Sequence, residues 1–291
     1  MIRWSAPNSR VAVAGTALAI ALAAAGALRS GGAESAPVTL KTTEIGAGPA
    51  LVFVPDVGLP RTVWMPTARK LLAGHRIVLV DLPGHGESPM PDPFTHQIAA
   101  EALDRVLAAQ KGESTIVIGQ GVGGVISTLA AKAHPEHVRG LVLVDVALRS
   151  PLKIEDQQKQ MFLRWMDDNF DQFVRQVYSR RGRDSTQGAE IVAQASLVAP
   201  VSLKPYFREI IGLDASPALK NFARPVLYVG SERGWPADKT WAAVSSERGL
   251  EGLAAPDTVR IAASAQLIMK DQPDSLAAAI GKFAKKSLAA K

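Results

Sequence analysis

Short apolar runs recur along the chain from residue 38 onward, and stretches with helical spacing separate most of them. The runs, each of which predicts a strand, lie at residues 38–45, 51–55, 76–81, 115–119, 140–145, 225–230 and 258–263. Apolar residues with the three- and four-residue spacing of helices occupy residues 61–73, 97–111, 122–133, 237–248 and 273–287. Continuous apolar strands suit a parallel sheet covered on both faces, because neither side of such a strand meets water. The pattern predicts an α/β fold.

The alternation of strands and helices stops between residues 149 and 222, where only helical patterns occur. Residues 157–178 carry an aromatic and apolar stripe at helical spacing, and further helical patterns follow at 188–197 and 203–213. The stripe consists of Phe162, Trp165, Met166, Phe170, Phe173 and Val177. Such a stripe predicts a helix face that packs onto the rest of the protein. The lining of a ligand pocket is the alternative interpretation.

The first residues have the pattern of a secretory signal. Residues 1–10 contain Arg3 and Arg10 but no acid, and residues 11–28 are an uninterrupted run of apolar and small residues. A basic start followed by an apolar segment is typical of export signals. We therefore predict that residues 1–36 are a signal peptide with a short linker, and that the protein is periplasmic or secreted. Membrane anchoring through an uncleaved helix at residues 11–28 is the alternative.

Composition restricts the class of partner. The net charge of +6 is mildly basic, 47% of the residues are hydrophobic, and cysteine is absent, so a large core forms without disulfides. The densest basic cluster, residues 180–183, lacks the interleaved aromatic residues of a nucleic-acid groove, and we interpret it as a solvated loop. A patch that binds phosphate or lipid headgroups is the alternative. His134 and His137 lie three residues apart and are interpreted as a surface pair rather than a metal site. No nucleic acid, cofactor or metal is predicted.

Two glycine-containing segments, at residues 81–88 and 119–123, resemble motifs of the α/β-hydrolase fold superfamily. The segment Asp81-Leu-Pro-Gly-His-Gly-Glu-Ser88 resembles a loop typical of that family, in which His85 and Ser88 are expected to be structural. The segment Gly119-Gln-Gly-Val-Gly123 resembles the turn that carries the nucleophile. The resemblance extends over about residues 38–288. It implies an α/β-hydrolase fold with a mostly parallel central sheet flanked by helices. The core would comprise residues 37–148 and 223–291, and a helical cap would comprise residues 149–222.

The same resemblance assigns catalytic positions to residues that cannot perform the usual chemistry. The nucleophile position falls on Gly121, the acid position on Arg233 with Glu232 beside it, and the histidine position on Gln266. Glycine has no nucleophilic side chain, and glutamine is not a general base near neutral pH. A carboxylate at Asp56 is expected to oppose a developing oxyanion nearby.

These substitutions lead to a hypothesis of lost chemistry. We expect an exported, non-catalytic protein that binds a small, partly apolar ligand or a protein partner in the vacated cleft. The residues expected to line that cleft are Asp56, Val57, Gln120, Gly121, Val122 and Gln266. The alternative is an enzyme of the hydrolase family that acts on a small ester or amide-like substrate with Asp56 as base. A minor alternative is dinucleotide binding at residues 119–124, where Gly-x-Gly-x-x-Gly follows a strand.

Overall fold

One seven-stranded sheet organises the part of the chain that the computed structural model describes, residues 37–110, 114–150 and 155–289. Its strands are β1 (Thr42–Ile45), β2 (Ala50–Val54), β3 (Arg76–Val80), β4 (Thr115–Gln120), β5 (Gly140–Val144), β6 (Val226–Ser231) and β7 (Asp257–Ile261). Their spatial order is β1-β3-β2-β4-β5-β6-β7. The pair of β1 and β3 is antiparallel, and the other neighbours are parallel. The seven predicted strands are all present within a few residues of their predicted bounds.

The central strands carry the core. Every residue of β2, β4 and β5 is buried. In the register, Val52 of β2 lies between Val78 of β3 and Val117 of β4. Branched apolar side chains suit such strands, because both faces of the sheet are covered by helices. Because β2, β3, β4 and β5 are parallel, their carboxyl ends meet at one edge of the sheet, where α/β folds place their ligand sites.

Ten α-helices lie among the described residues. They are α1 (Met65–Ala68), α2 (His96–Ala108), α3 (Gly121–Ala133), α4 (Asp156–Asp168), α5 (Phe170–Ser179), α6 (Ser185–Ala195), α7 (Pro200–Ile210), α8 (Trp241–Arg248), α9 (Ile268–Asp271) and α10 (Pro273–Ala289). The helix predicted over 61–73 is instead α1 between two short 3₁₀ turns. Pro66 lies in the first turn of α1, and because proline lacks an N–H, one continuous helix cannot run through it.

The helices α4 to α7 form the insertion between β5 and β6. The pattern at 157–178 predicts one helix, but the chain breaks at Asn169, where φ is −125°. The Asn169 side-chain amide donates to the carbonyl of Trp165 at 3.0 Å, which caps the end of α4. The break folds the aromatic stripe back on itself, so that the rings of Phe162 and Phe173 lie 6.0 Å apart. The assignment of residues 149–222 as a separate cap stays a prediction.

The predicted signal segment, residues 1–36, lies outside the described residues. Among the residues that are described, no helix has both the length and the apolar character needed to span a bilayer.

Candidate functional site

A buried carboxylate occupies the carboxyl edge of the sheet. Asp56, two residues after β2, is 1% exposed. Its Oδ1 accepts hydrogen bonds from the backbone N–H groups of Val57 at 2.9 Å and Val122 at 2.8 Å. Its Oδ2 accepts from the Arg181 guanidinium at 2.7 Å and from the Gln266 amide at 3.1 Å. Four donors, one of them cationic, compensate for the water that this carboxylate loses on burial.

Gly121 leaves room for that carboxylate. The residue begins α3 directly after β4 with φ of +49°, in the left-handed region. A Cβ atom at this position would lie 2.4 Å from Cγ of Asp56, which is closer than atoms can pack. A residue other than glycine would therefore meet both backbone strain and overlap. The expectation of a vacated cleft is wrong at this point, because the Asp56 side chain fills the space beside Gly121.

The neighbouring glycines serve close packing. A Cβ on Gly119 would lie 2.5 Å from the Gly124 Cα, and one on Gly123 would lie 2.1 Å from the Pro55 carbonyl oxygen. The N–H of Val122, at the start of α3, already donates to the Asp56 carboxylate. An anion thus occupies the position that a pyrophosphate would take at the N-terminus of a helix. The dinucleotide interpretation of residues 119–124 is therefore wrong.

The loop that follows β3 supports the Asp56 segment. His85 is buried, and its Nε2 accepts the backbone N–H of Gly58 at 2.8 Å while its Nδ1 donates to the Pro83 carbonyl at 3.0 Å. Burial lowers the pKa of His85, and because Nε2 accepts a hydrogen bond, the ring is neutral. The Ser88 hydroxyl donates to the Asp81 carbonyl at 2.9 Å. Both side chains form hydrogen bonds with backbone groups, in agreement with their predicted structural role.

The other predicted site residues divide into two groups. Gln120 is buried and donates to the carbonyl of Gln266 at 2.6 Å, so it lies in the site. Glu232 points elsewhere, because its carboxylate accepts the N–H of Ala263 at 2.7 Å. Arg233 donates to a carbonyl of the insertion, that of residue 180. The structure therefore brings Asp56, Val57, Gln120, Gly121, Val122 and Gln266 together, and it leaves Glu232 out. The equation of Gly121, Arg233 and Gln266 with catalytic positions stays a prediction.

Sequence reasoning missed Asp145 as a site residue of the hydrolase fold. This residue follows β5, is buried, has φ of +49°, and accepts the Ser231 N–H at 2.9 Å. Burial raises its pKa, an effect that the nearby Arg248 opposes. Asp145 lines a cavity of about 200 Å³ that Arg233 and Gln266 also line. An acid at the carboxyl end of a central strand was the available signal.

Sequence reasoning also missed Arg181, which we had assigned to a solvated loop. Only 17% of its side chain is exposed, and its guanidinium lies 4.4 Å from the ring centre of Tyr178 while it pairs with Asp56. The Tyr178 hydroxyl donates to the Val57 carbonyl at 2.8 Å. The prediction failed because Arg181 and Asp56 are 125 residues apart in sequence. The requirement of a buried carboxylate for a cation was the physical signal that could have paired them.

An apolar groove in the insertion lies against the same arginine. The groove has a volume of about 440 Å³. Its lining residues are Phe162, Trp165, Phe173, Gln176, Val177, Arg180, Arg181, Phe207, Ile210 and Ile211. Four residues of the aromatic stripe are among them, whereas Met166 and Phe170 pack in the core and do not line the groove. Both interpretations of the stripe therefore apply, since some of its residues pack in the core and others line the groove. Arg181 connects this groove to Asp56.

Comparison with known proteins identifies similar sequences. The profile of the family described as alpha/beta hydrolase fold matches residues 49–187. The pimeloyl-[acyl-carrier protein] methyl ester esterase of Pseudoalteromonas atlantica is 34% identical over 108 residues, which cover 36% of this chain and 40% of the relative. The protein of the same name from Edwardsiella ictaluri is 41% identical over 100 residues, covering 34% and 37%. The match thus spans about two fifths of the length of these relatives.

Solved structures resemble the chain over most of its length. A thermophilic esterase from Thermogutta terrifontis superposes with a TM-score of 0.68 at 18% identity, covering 86% of this chain and 94% of that one. The enol-lactonase from Burkholderia xenovorans superposes with a TM-score of 0.70 at 17% identity, covering 85% and 97%. At these identities the likeness establishes the fold.

These comparisons overturn two predictions made from the sequence. The hypothesis of a non-catalytic binder, and the expectation that the chain is not an enzyme, are wrong, because the relatives at 34% and 41% identity are named esterases and the structural neighbours include an esterase and a lactonase. The hypothesis equated the absence of serine and histidine with the absence of chemistry. It overlooked the ionisable pair that Asp56 and Arg181 form at the same edge of the sheet.

Fold, motif and sequence similarity agree. The sheet is mostly parallel with an antiparallel first strand, and the turn from β4 to α3 has the strand–turn–helix geometry that the resemblance implies. The matching family profile covers this turn and the loop at residues 81–88. The chain therefore has the α/β-hydrolase fold, and its residues 49–187 match the profile of that family.

Proposed function

We propose that the protein is a carboxylic ester hydrolase in which Asp56 is the general base and Arg181 polarises the ester carbonyl. The observation that carries this proposal is the bonding of a buried carboxylate to an arginine that also lines an apolar groove. A general base must be held in one position and must lie within reach of the reacting water. The backbone N–H groups of Val57 and Val122 hold Oδ1 of Asp56, and Oδ2 faces Arg181.

The groove supports an ester with an apolar acyl group. Its walls are mainly aromatic and aliphatic, and its volume of about 440 Å³ suits a chain of several carbons. The relatives are named for the hydrolysis of a methyl ester of an acyl chain, which supports the same class of bond. An ester is favoured over an amide, since an alkoxide leaves more readily than an amide nitrogen. We therefore propose that the groove binds the acyl group of a small-molecule ester.

The proposed reaction begins when an ester displaces Arg181 from Asp56. The guanidinium turns toward the carbonyl oxygen of the substrate, and a water molecule enters beside Oδ2, where the Gln266 amide orients it. Asp56 takes a proton from the water as the water oxygen attacks the carbonyl carbon. Arg181 stabilises the negative charge that develops on the former carbonyl oxygen. The bond to the alkoxy group then breaks, and the proton on Asp56 passes to the departing alkoxide. The products are a carboxylic acid and an alcohol.

Resistance to a serine-directed reagent tests this proposal. We expect the purified protein to hydrolyse p-nitrophenyl hexanoate and to keep that activity, and its intact mass, after incubation with a fluorophosphonate. Arg181→Gln is expected to lower kcat by about 10²-fold, because the charge that stabilises the oxyanion is lost. The control is Arg208→Gln, which removes an exposed arginine that pairs with Asp167 on α4. Stoichiometric labelling with loss of activity would show a serine nucleophile and would overturn the role of Asp56.

A further inference from the structure

A cluster of metal-ligand side chains lies outside the Asp56 site. Asp104 lies on α2, His134 follows the last residue of α3, and His137 ends the turn that comes next. Each side chain offers one donor atom, and the three donor atoms lie within 4.8 Å of one another. The sequence places the two histidines three residues apart, but the third ligand comes from a position about 30 residues earlier. The sequence-based prediction of no metal site had lacked this third ligand.

The spacing of the donors fits a small tetrahedral ion. His137 Nδ1 lies 2.7 Å from Asp104 Oδ1, and His134 Nε2 lies 3.7 Å from Asp104 Oδ2. Ligands at about 2.0–2.1 Å from a tetrahedral zinc ion lie roughly 3.3 Å from each other. The two distances run to the two oxygens of one carboxylate, and the shorter one is a hydrogen bond from His137 Nδ1 to Asp104. A bound ion would replace that hydrogen bond, with the His137 proton released, and would need the donor atoms to move to about this spacing. The two imidazole rings are stacked, with centroids 5.2 Å apart, and one donor atom of each lies within 4.8 Å of the other and of a carboxylate oxygen of Asp104.

A fourth side chain orients one of the histidines. The Glu136 carboxylate lies 3.2 Å from Nδ1 of His134 and so accepts its proton. That bond leaves the lone pair of Nε2 directed away from Glu136, on the side of Asp104. Histidine ligands of zinc commonly donate their other ring nitrogen to a carboxylate, which fixes the tautomer and strengthens the ligand. Glu136 therefore supplies an outer contact of the kind that distinguishes a metal site from two neighbouring surface histidines.

We propose that Asp104, His134 and His137 bind a zinc ion, with water as the fourth ligand. Two imidazoles and one carboxylate suit zinc better than calcium or magnesium, which prefer oxygen ligands. The ion would join α2 to the end of α3, two helices that pack side by side in the fold. Because the folded chain assembles the site from both helices, binding would stabilise the folded state. The proposal is independent of the esterase mechanism.

Titration of the full-length, tag-free, EDTA-treated protein with ZnCl₂ tests the site. Calorimetry is expected to show one ion per chain with Kd below about 10 μM, and Co²⁺ is expected to give the intense visible absorption of four-coordinate cobalt. Asp104→Asn should weaken binding at least tenfold, and Glu136→Gln should weaken it about tenfold through the outer contact. His75→Gln, which removes a histidine elsewhere, should leave the affinity unchanged. Zinc should raise the Tm of the wild type but not of Asp104→Asn.

Three outcomes would overturn the proposal. They are zinc binding no tighter than about millimolar, equal affinity in the wild type and Asp104→Asn, and the weak absorption of six-coordinate cobalt. The single-atom exchange in Asp104→Asn preserves side-chain volume, so this variant is expected to fold. If it does not, Glu136→Gln decides the question, since that residue is exposed and is not itself a metal ligand.

Discussion

At the residue scale, Asp56 and Gly121 share one volume. The side chain of Asp56 lies where a side chain at residue 121 would project, and the positive φ of Gly121 places the start of α3 beneath it. The position of the Asp56 carboxylate therefore requires glycine at residue 121. A larger residue there would displace the carboxylate from the backbone N–H groups of Val57 and Val122. The same geometry leaves no room for a serine side chain at residue 121. The turn from β4 to α3 instead binds the Asp56 carboxylate through the Val122 N–H.

This shared volume predicts a destabilising substitution. Gly121→Ala should lower the free energy of unfolding by about 3 kcal/mol, since left-handed strain and overlap with Asp56 each cost about 1–3 kcal/mol. Gly74→Ala is the control, because a Cβ atom there meets nothing within 4 Å, and it should change stability by less than about 0.5 kcal/mol. Urea denaturation measures both variants. Additivity of Gly121→Ala with Asp56→Ala would contradict the overlap, which requires a coupling of at least about 1 kcal/mol.

His96 predicts a dependence of stability on pH. Burial lowers its pKa from 6.5 to about 4, and its Nε2 has no hydrogen-bond partner among the described residues. Because the unfolded chain binds a proton at higher pH than the folded chain, the unfolded state is favoured as pH falls from about 6.5 to 4. The loss in unfolding free energy is about 3 kcal/mol. His96→Phe should remove this part of the pH dependence and leave the part that His85, whose pKa burial also lowers, contributes. His75→Gln should leave the profile unchanged. A wild-type profile that is flat over this range would contradict the assignment.

The sequence could predict part of the site at this scale. Asp56, Val57, Val122 and Gln266 were recognisable because the resemblance to α/β-hydrolases places them at or beside the catalytic positions of that family. The general need of a buried carboxylate for a cation pointed to a charged partner, but it did not identify Arg181, which reaches the site through the fold of the insertion. Its role depends on a long-range contact that no local pattern records.

At the element scale, burial determined which predictions succeeded. The central strands β2, β4 and β5 are buried on both faces, so their pattern is unambiguous. The edge strands β1 and β7 carry exposed polar residues but were also predicted. The predictions were less accurate at the points where the helices break. Proline at residue 66 and the capping amide of Asn169 divide two predicted helices, and neither break disturbs the apolar periodicity on which the predictions rested. The second break shapes the groove, because it folds α4 and α5 around it.

The groove predicts a dependence on acyl length. Trp165→Ala should raise KM for p-nitrophenyl octanoate about tenfold and change KM for the acetate less than twofold, because a short acyl group does not reach the aromatic wall. A loss of this size corresponds to one buried aromatic contact. Leu197→Ala is the control, since Leu197 is 86% exposed and does not line the groove. An equal rise in KM for both esters would place the acyl chain elsewhere.

At the scale of the whole molecule, the proposed esterase is expected to work outside the cytoplasm. We propose export on the basis of Arg3, Arg10 and the apolar run at residues 11–28, which support a secretory signal. Fusion of residues 1–40 to a reporter enzyme that is active only after export should give activity, and Arg3→Glu with Arg10→Glu should reduce it. A mature N-terminus between residues 28 and 38 would support cleavage, whereas an intact N-terminus in the membrane fraction would support anchoring. An inactive reporter would contradict export.

The central claim is that Asp56 is the base for ester hydrolysis, and the kcat/KM of Asp56→Asn for p-nitrophenyl hexanoate tests it most directly. Asparagine keeps the acceptor for Val57 and Val122 but cannot take a proton, so kcat/KM should fall by about 10²–10⁴-fold. Asp257→Asn provides the matched control, since that carboxylate pairs with Lys286 at the surface. Circular dichroism verifies that both variants fold. A folded Asp56→Asn protein with wild-type kcat/KM would contradict the account.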